Sequence, residues 1–350
     1  MYIFSCPSRV REHPKIKKTI MNSLGNLFRI TIFGESHGIS VGINIDGCPA
    51  GMALSEKDFT ADLTRRKSGA KGTTPRKETD TPRIISGIFN GFTTGAPVTI
   101  LFQNSDIRPS DYAALRETPR PGHADFVAMK KFGGFEDYRG GGHFSGRLTL
   151  ALVAAGVIAK KIIDPVTCKA QLIEAGGTID IEKAIEQAVA DQDSIGGIVE
   201  CRISRVPVGL GEPFFNSVES MLSHMIFSIP AVKGIEFGAG FKGATMKGSE
   251  HNDLIISSDG TTASNHAGGI NGGISNGNDI LLRVAVKPAS STGKSQRTMN
   301  VSTGKMTDLQ IQGRHDLCIA LRVPVVLEAA AAIVMADLLL MEQKIKRVIT

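Results

Sequence analysis

Histidine recurs in this sequence beside glycine, within short segments that also carry serine, arginine or aspartate. His37 lies in the segment GESHG, directly after an apolar run with strand character, and His123 lies in the segment RPGHAD. Histidine exchanges protons near neutral pH, and glycine lets a ligand approach the backbone closely. Both segments are therefore candidates for proton transfer at a bound ligand. The alternatives are a polar turn capped by Ser36 and a structural histidine that Asp125 holds in place.

Two basic, glycine-containing segments supply groups that bind anions. Residues 65–72 read RRKSGAKG, and residues 138–147 read YRGGGHFSGR directly before an apolar helical pattern. Arginine and lysine are natural phosphate contacts, and the free N–H groups at the start of a helix favour an anion. The alternatives are a solvated charge run at a helix end for the first segment and a flexible loop with a helix cap for the second.

Three further segments, towards the C-terminal end of the chain, combine glycine, cations and hydroxyl groups. Residues 265–275 read NHAGGINGGIS, residues 287–291 read KPASS and residues 313–316 read GRHD. Closely spaced glycines indicate a tight approach of the backbone to a ligand, and Lys287 with its two serines is a candidate phosphate contact. The GRHD segment brings together an anion clamp, a proton carrier and a carboxylate. Hairpin turns and a surface ion pair are the alternatives.

The charge balance argues for a small anionic ligand and against nucleic acid. The chain has 350 residues, of which 41% are hydrophobic and 21% are charged, as in a globular protein of one large or two ordinary domains. Its formal net charge is +6, but residues 1–20 alone hold five cations against one acid, so the rest is nearly balanced. Tryptophan is absent and tyrosine occurs three times, which leaves few aromatic side chains for base stacking.

Cysteine usage and apolar runs indicate a cytoplasmic protein without a membrane span. The five cysteines are scattered and form no CxxC, which favours reduced thiols over disulfides or a zinc site. The apolar run over residues 148–159 is about half the length of a spanning helix, and the run over residues 323–340 is interrupted by Glu328 and Asp337. No metal-binding histidine spacing, dinucleotide fingerprint, Walker loop or GxSxG elbow is present.

Apolar periodicity predicts mixed helices and strands without the alternation of a parallel sheet. Helical spacing covers residues 148–163, 181–191, 217–227 and 323–344. Strand patterns cover residues 27–33, 41–45, 83–89, 97–102, 198–206, 254–257 and 280–286. Residues 1–20 lack periodicity and precede a second methionine, so we expect a flexible extension or a misassigned start there, followed by one domain over residues 21–350.

Taken in order, these segments resemble the signature of the chorismate synthase family. The shared motifs are FGESHG (33–38), RPGHAD (120–125), YRGGG with the following S-x-R (138–147), NHAGGI with GGIS (265–275), KPxSS (287–291) and GRHD (313–316). Any one motif is weak, but six in this order at compatible spacing are specific. The resemblance runs from about residue 26 to about residue 340.

The resemblance implies a fold, a reaction and a cofactor. The fold is an α+β, β-α-α-β sandwich in which antiparallel sheets enclose helices, assembled as a homotetramer. The reaction converts 5-enolpyruvylshikimate 3-phosphate to chorismate by 1,4-anti elimination of phosphate, the last step of the shikimate pathway in aromatic amino acid biosynthesis. The cofactor is reduced FMN, although the reaction has no net redox change.

The resemblance also assigns roles to individual residues. His37 matches a proton donor to the departing phosphate, His123 matches the residue that protonates the reduced flavin, and Asp316 matches a residue that assists proton removal at C6 through the flavin. Substrate contacts are expected from Ser36, Arg66, Lys71, Ser145, Arg147 and Arg314. FMN contacts are expected from His143, Phe144, Ser145, Pro230, Ala231, Gly272, Lys287, Pro288, Ala289, Ser290, Ser291 and Arg314.

This chain departs from the family pattern at two places. Many members read R-S-S-A-R-E-T where this chain has HFSGRLT, so His143 replaces an arginine and Leu148 replaces an acidic residue. These changes weaken the expectation of flavin-phosphate contacts at this edge. The basic loop is also one residue shorter than in some relatives, with Lys71 near their arginine.

Three alternatives stay open from the sequence. One is a flavin enzyme that acts on a different phosphorylated substrate. Another is a nucleic-acid-binding protein, whose salt-dependent DNA binding would survive deletion of residues 1–20. The third is a catalytically inactive scaffold, which is disfavoured because His37, His123 and Asp316 are all present. A separate question is the reductant, since some family members reduce their own flavin with NADPH by means of additional sequence. This chain has no obvious room for it, so we expect an external flavin reductase.

Overall fold

Two antiparallel sheets and two long apolar helices form the core of the structure, a computed structural model that describes residues 22–74, 78–106, 112, 114–311 and 315–343. The strands are β1 Ser23–Leu24, β2 Arg29–Gly34, β3 Ser40–Asp46, β4 Arg83–Ser86, β5 Ile88–Phe89, β6 Phe92–Thr93, β7 Val98–Gln103, β8 Thr167–Ala175, β9 Gly197–Ser204, β10 Val232–Phe237, β11 Ile270–Asn271, β12 Ile274–Ser275, β13 Ile280–Val286, β14 Gln296–Asn300 and β15 Lys305–Leu309. The α-helices are α1 Thr60–Arg66, α2 Asp125–Phe132, α3 Thr149–Ile162, α4 Ile181–Asp191, α5 Val218–Ile226, α6 Gly248–His251 and α7 Val323–Met341.

The first sheet has the strand order β1-β2-β3-β7-β4, with antiparallel pairing throughout. Alternate residues of β3 and β7 are fully buried, and Ile43 pairs with Ile100 at the centre of the sheet. Successive side chains of a strand point to opposite faces, so this alternation turns one face of the sheet towards the core.

The second sheet has the order β10-β13-β9-β8 and is also antiparallel. Its inner face is again built by alternate residues, such as the fully buried pair Leu282 and Cys201. The short hairpins β5–β6, β11–β12 and β14–β15 stand outside both sheets.

The helices α3 and α7 fill the space between the sheets. Helix α3 packs on β2 and β3 of the first sheet, α7 packs on β8 and β9 of the second, and the two helices pack on each other. Gly156 of α3 lies so close to Ala329 of α7 that a side chain at Gly156 would overlap it. This sheet–helix–helix–sheet order confirms the predicted β-α-α-β sandwich.

Helix α7 is the central element of the core. The segment Ile319–Met341 is long and apolar enough to cross a membrane by length and composition, but 89% of its most apolar stretch is buried inside the structure. The two charged residues that interrupt it, Glu328 and Asp337, are 1% and 2% exposed. A buried charge is costly unless it is paired or hydrogen-bonded, so the partners of these two side chains matter for the fold.

Asp337 binds the start of the first sheet. Its carboxylate accepts hydrogen bonds from the backbone N–H groups of Asn26, Leu27 and Phe28, at 2.8, 2.7 and 2.9 Å. The loop between β1 and β2 is thereby fixed to the central helix.

Glu328 joins α7 to three other elements. It accepts two hydrogen bonds from the Arg65 guanidinium at 2.7 and 2.8 Å, one from Lys160 Nζ at 2.8 Å and one from the Ala170 N–H at 3.0 Å. Burial raises the pKa of Glu328, but the hydrogen bonds from Arg65 and Lys160 outweigh burial and bring the pKa down to about 2. The carboxylate therefore ties α1, α3 and β8 to the core helix in its ionised form.

Most predicted elements are present, and one is wrong. The predicted helix over residues 181–191 coincides with α4, and the other predicted helices begin and end within a few residues of α3, α5 and α7. The predicted strand over residues 254–257 is absent; Ile255 forms only an isolated bridge with Thr262, and Leu254, Ile255 and Ile256 are 60–69% exposed. Strand preference depends on packing against other strands, whereas this exposed run is hydrogen-bonded to the nearby residues Thr261 and Ala263. The prediction for residues 1–20 falls outside the described residues.

Replacing Glu328 by glutamine tests its structural role. We expect Glu328→Gln to lower the free energy of unfolding at pH 7 by about 2–3 kcal/mol, because Arg65 and Lys160 lose a buried partner but stay partly exposed. The wild-type carboxylate stabilises the fold above its unfolded pKa of 4.5, and this contribution is lost as the pH falls towards 2. The difference between the two proteins, measured by chemical denaturation, should therefore shrink over that range.

The exposed pair between Glu186 and Lys71 provides the control for this measurement. Their side chains are 64% and 62% exposed, so Glu186→Gln should change stability by no more than about 1 kcal/mol. Equal losses for Glu186→Gln and Glu328→Gln would contradict a special role for Glu328.

Candidate active site

A cavity of about 590 Å³ opens where the two central helices begin. Its walls include Thr149, the first residue of α3, and Val323, the first residue of α7. The contact between Gly156 and Ala329 lies about two turns into each helix, so both helices run away from the cavity in the same direction. The N-terminus of a helix carries unpaired N–H groups and a partial positive charge, which favour an anion at this point.

Positive charge exceeds negative charge along the described part of the cavity wall. The cations are Arg66, Lys67, Arg120, Arg147, Lys287 and Arg322, and the acids are Glu78, Asp80 and Asp316. Six cations against three acids suit a ligand that carries several negative charges, since charge-assisted hydrogen bonds to such a ligand are strong.

Asp80 holds two of the predicted substrate-binding arginines together. Its Oδ1 is 2.6 Å from Arg147 Nη1, and its Oδ2 is 3.5 Å from Arg66 Nη1. All three side chains are at most 5% exposed, and the backbone of Asp80 is left-handed, with φ of 51°. No motif surrounds Asp80 in the sequence. Its role becomes visible only in the structure, where it forms ion pairs with both arginines.

Arg66 is fixed from the side of the helix start. It donates from Nε to Thr149 Oγ1 at 3.0 Å and from Nη2 to the carbonyl oxygens of Gly146 and Arg147, at 3.1 and 3.2 Å. Burial, and then the nearby Arg322, lower the pKa of Arg66 to about 9, so it remains a cation at neutral pH. The side chain is therefore a buried, oriented positive charge at the end of α1.

His123, Arg120 and Asp125 form a hydrogen-bonded group at the opposite wall. Asp125 Oδ1 is 2.6 Å from His123 Nδ1, and Arg120 donates to both carboxylate oxygens of Asp125 at 2.8 Å. Burial raises the pKa of Asp125, but hydrogen bonds from Arg120 and then His123 outweigh it and hold that pKa well below its usual range. An ionised carboxylate at Nδ1 favours the tautomer with a proton on Nδ1, which leaves Nε2 for proton exchange.

The KPASS segment is bound to the RPGHAD segment. Lys287 Nζ and Ser290 Oγ both donate to the carbonyl oxygen of Gly122, at 2.9 and 2.7 Å, and Arg120 Nη1 donates to Ser291 Oγ at 3.0 Å. Burial, and then Lys233, lower the pKa of Lys287. Two segments that are about 165 residues apart in sequence thus form one wall.

His37 is buried next to the cavity and not on its described surface. It is 4% exposed, and its Nδ1 is 3.3 Å from Ser36 Oγ. The His37 and Tyr112 rings are in edge-to-face contact, with 5.0 Å between the ring centres. Tyr112 and Gly140, which adjoin His37, do line the cavity. His37 is therefore one layer behind the wall.

Three consecutive glycines make this arrangement possible. Gly140, Gly141 and Gly142 all have left-handed backbones, with φ of 60°, 79° and 52°. A side chain at Gly140 would overlap the His37 ring, and the Gly142 carbonyl accepts a hydrogen bond from the Ser36 N–H at 3.0 Å. The glycines serve here to let the loop lie directly on Ser36 and His37.

Asn104 connects the loop of His37 to Arg147. Its amide donates to the carbonyl oxygens of Glu35 and Gly38, at 3.0 and 2.8 Å, and its Oδ1 accepts from Arg147 Nε at 2.7 Å. The GESHG turn and Arg147 are thereby held in one hydrogen-bonded unit, which the sequence motifs did not reveal.

Asp316 lines the cavity near the start of α7. Its Oδ1 accepts from the Thr74 N–H at 2.9 Å, and its Oδ2 accepts from Arg322 Nη1 at 3.1 Å. The neighbouring His315 also lines the cavity, and its Nε2 is buried without a hydrogen-bond partner among the described residues. Burial, and then Arg120, lower the pKa of His315. The sequence analysis did not single out Arg322, which no motif includes.

The structure brings most predicted ligand contacts together. The cavity wall contains Arg66, Phe144, Ser145, Arg147, Pro230, Ala231, Lys287, Pro288, Ala289, Ser290 and Ser291, with His123 and Asp316. It does not bring Ser36, Lys71 or Gly272 there, and Ser36 is fully buried beside His37. Lys71 is paired with Glu186 of α4 on the surface, and Gly272 lies at the tip of the β11–β12 hairpin. Arg314 lies outside the described residues.

The two departures from the family pattern have structural roles in this chain. The His143 ring contacts the Gly34 carbonyl at 2.9 Å and Asn22 Oδ1 at 3.1 Å, so it fixes the end of β2 and does not line the cavity. Leu148 is 7% exposed and packs in the core. His143 is thus not placed to contact a cofactor in the cavity.

These groups suit elimination chemistry on a small polyanion. The described residues contain no cluster of histidine, cysteine, aspartate or glutamate that would hold a metal ion. Buried arginines can stabilise a departing anion, and His123 and Asp316 can exchange protons beside it.

Comparison with known proteins agrees with this chemistry. The family model described as chorismate synthase matches residues 28–340. A chorismate synthase from Chitinophaga pinensis is 65% identical to this chain, over 94% of this chain and 99% of its own length. One from Dehalococcoides mccartyi is 48% identical, over 94% of this chain and 99% of its own length. One from Methanocaldococcus jannaschii is 43% identical, over 92% of this chain and 97% of its own length. A crystal structure titled as chorismate synthase superimposes with a TM-score of 0.71 at 25% identity, over 91% of this chain and 93% of that one. With its fold, its motifs and these relatives in agreement, this chain belongs to the chorismate synthase family.

Proposed function

We propose that this protein is the lyase that converts 5-enolpyruvylshikimate 3-phosphate to chorismate and phosphate, the last step of the shikimate pathway. The observation that carries this proposal is the surplus of three positive charges on the described wall of one cavity. The substrate bears one phosphate and two carboxylates, and the surplus matches that set of anions in kind. The family membership of the chain supports the same conclusion.

We propose that the buried arginines bind the substrate and stabilise the departing phosphate. Arg66 and Arg147 are already oriented by Asp80, Thr149 and the carbonyl groups at the start of α3. Charges that are fixed before the reaction stabilise a developing anion without the cost of reorganisation. Ser36 and Ser145 are proposed as additional substrate contacts through their hydroxyl groups.

We propose separate proton-transfer roles for three residues. His37 donates a proton to the departing phosphate, His123 holds a proton at Nε2 on the cavity side, and Asp316 assists removal of the C6 proton. Asp125 orients the His123 ring through its contact with Nδ1, at 2.6 Å. The buried position of His37 implies that Gly140 and Tyr112 shift when the ligands bind.

Reduced FMN is the proposed cofactor. The residues present fit a flavin, since Phe144, which is 41% exposed, lines the cavity. Pro230, Ala231 and the KPASS segment supply apolar and polar contacts on the same wall. The volume of about 590 Å³ lies within the range of roughly 300–1,000 Å³ for ligand pockets. When bound, reduced FMN supplies electron density to the substrate without net oxidation.

The remaining proposals concern assembly and location. An external flavin reductase is proposed as the source of reduced FMN, in line with the resemblance. Homotetramer formation is proposed because Phe214, Phe215 and Phe241 are each more than four-fifths exposed and association would shield them. A cytoplasmic location is proposed because the described cysteines are free; burial raises the pKa of Cys48 to about 11 and that of Cys168 to about 12, which keeps both thiols unreactive.

An anaerobic assay with 5-enolpyruvylshikimate 3-phosphate and chemically reduced FMN tests the proposed function. We expect chorismate and phosphate in equal amounts, and no product with oxidised FMN alone. Tight FMN binding without turnover of this substrate would favour a flavin enzyme for a different phosphorylated compound. If the protein bound neither 5-enolpyruvylshikimate 3-phosphate nor FMN, the proposal would be rejected.

Variants of the His123 group test its role in proton transfer. We expect His123→Ala to reduce kcat by roughly 10²–10⁴-fold, the usual contribution of a general acid or base. Asp125→Asn should cause a smaller loss, because the imidazole remains but its orienting carboxylate does not. The dissociation constant of the substrate should change little in both variants. Turnover close to wild type in His123→Ala would rule out its proposed role.

The Gly140→Ala variant tests whether His37 must occupy its observed place. The new methyl group would overlap the His37 ring, so we expect kcat to fall at least tenfold. Gly304→Ala is the matched control, since Gly304 has a similar φ of 69° and no atom near its would-be side chain. Both variants carry the strain of a left-handed residue, about 1–2 kcal/mol, but only Gly140→Ala displaces His37. Equal kinetics for the two variants would contradict the role of His37.

A further inference from the structure

Both carboxylate oxygens of Asp316 are held in the structure. Oδ1 accepts from the Thr74 N–H at 2.9 Å, and Oδ2 accepts from Arg322 Nη1 at 3.1 Å. We propose that Arg322 is a positioning residue, which holds the Asp316 carboxylate in its place on the cavity wall. This inference rests on the proposed function, because it concerns how Asp316 performs its role as a proton acceptor.

Arg322 is anchored well enough to act in this way. Its Nε donates to the carbonyl oxygen of Arg66 at 3.0 Å, while its Nη1 faces Asp316. The guanidinium thus uses one edge to hold its own place and the other to hold the carboxylate. Arg66 is itself 2% exposed and bound to Thr149, so the anchor is rigid.

The pair is shielded from water more than an ordinary surface pair. The side chains of Arg322 and Asp316 are 21% and 13% exposed. Attraction between opposite charges grows as water is excluded, whereas exposed pairs contribute little. Arg322 also occupies the 3₁₀ turn Ile319–Arg322 that leads into α7, so a core element fixes its backbone.

Other ionisable groups act on Asp316 from greater distance. Arg66 at the end of α1 and the adjacent His315 interact with it electrostatically, and the Cys318 thiol lies nearby. Among the described side chains, the salt bridge to Asp316 comes from Arg322. Removing Arg322 would therefore remove its contact cation and leave Arg66 as a weaker, more distant one.

The consequence for the reaction has a definite sign. A carboxylate must be unprotonated to accept a proton, and one that loses a neighbouring cation binds protons more readily. Without Arg322, a larger fraction of the enzyme would carry an occupied base at mildly acidic pH. In the pH profile of kcat, the fall in kcat on the acidic side, which is the acidic limb of the profile, should then begin at higher pH.

Three variants test the inference in the full-length protein with reduced FMN. We expect Arg322→Gln to lower kcat by roughly 10–100-fold and to move the acidic limb of the pH profile of kcat to higher pH. Arg322→Lys keeps a cation, so the limb should return towards its wild-type position even if kcat stays reduced. Arg83→Gln removes an exposed arginine from β4 and should match wild type in both measurements.

The binding of substrate distinguishes positioning from direct contact, since Arg322 also lines the cavity. We expect the dissociation constant of 5-enolpyruvylshikimate 3-phosphate in Arg322→Gln to stay within about threefold of wild type. A tenfold or larger increase with an unmoved acidic limb would show that Arg322 binds the substrate, and would overturn the inference.

A double-mutant cycle separates this inference from the proposed function. The denaturation midpoints of Arg322→Gln, Asp316→Asn and the double variant are measured without ligands, so they do not depend on any turnover. Coupled residues give non-additive changes. Additive changes would overturn the inference even if the wild-type enzyme makes chorismate, whereas coupling without wild-type turnover would count against the function alone.

Discussion

Burying charge is the constraint on which this structure depends. The protein removes several ionised side chains from water, and each one is costly unless a partner of opposite charge or a set of hydrogen bonds compensates for it. Glu328 and Asp337 stand within the most apolar helix of the fold and are compensated by two cations and by backbone N–H groups. The same requirement fixes the path of the chain around α7, because the partners must reach it from α1, α3, β8 and the β1–β2 loop.

At the cavity the compensation is incomplete, and the proposed function depends on this imbalance. Asp80 and Asp316 offset part of the charge on Arg66, Arg147 and Arg322, but the described wall keeps three more cations than acids. The internal acids hold the arginines in place while no substrate is bound. In the proposed function, an anionic ligand neutralises the remaining positive charge and binds near the N-terminal ends of α3 and α7. Structural and functional ion pairs therefore follow one rule and differ only in whether the protein supplies every partner.

An element or a site residue can be predicted from the sequence when the residues that determine it are close together in the chain. The long helices α3 and α7 could be predicted because their apolar patterns are local. The pairing of His123 with Asp125 is also local, because the two residues are only two positions apart. Asp80 and Asn104 carry no motif, because Arg147, which both of them bind, lies tens of residues away. Arg322 is only six residues from Asp316, but no motif includes it, and its other partner, the Arg66 carbonyl, lies 256 residues away. Motif matching also fixes the position of a residue in the chain and not the direction of its side chain. His143 shows the difference, since its neighbours Phe144 and Ser145 line the cavity while its own ring faces Gly34.

The glycines of the site show the same logic at the level of the backbone. From the sequence, the three glycines before α3 are expected to cradle a ligand. In the structure, Gly140 lies against the His37 ring, and Gly142 accepts a hydrogen bond from Ser36, so the loop cradles part of the protein itself. This contact holds His37 one layer behind the wall, where Tyr112 and Ser36 restrict its ring. The left-handed backbone that glycine adopts easily is the condition for this close contact. The proposed proton transfer from His37 therefore requires Gly140 and Tyr112 to move away from its ring.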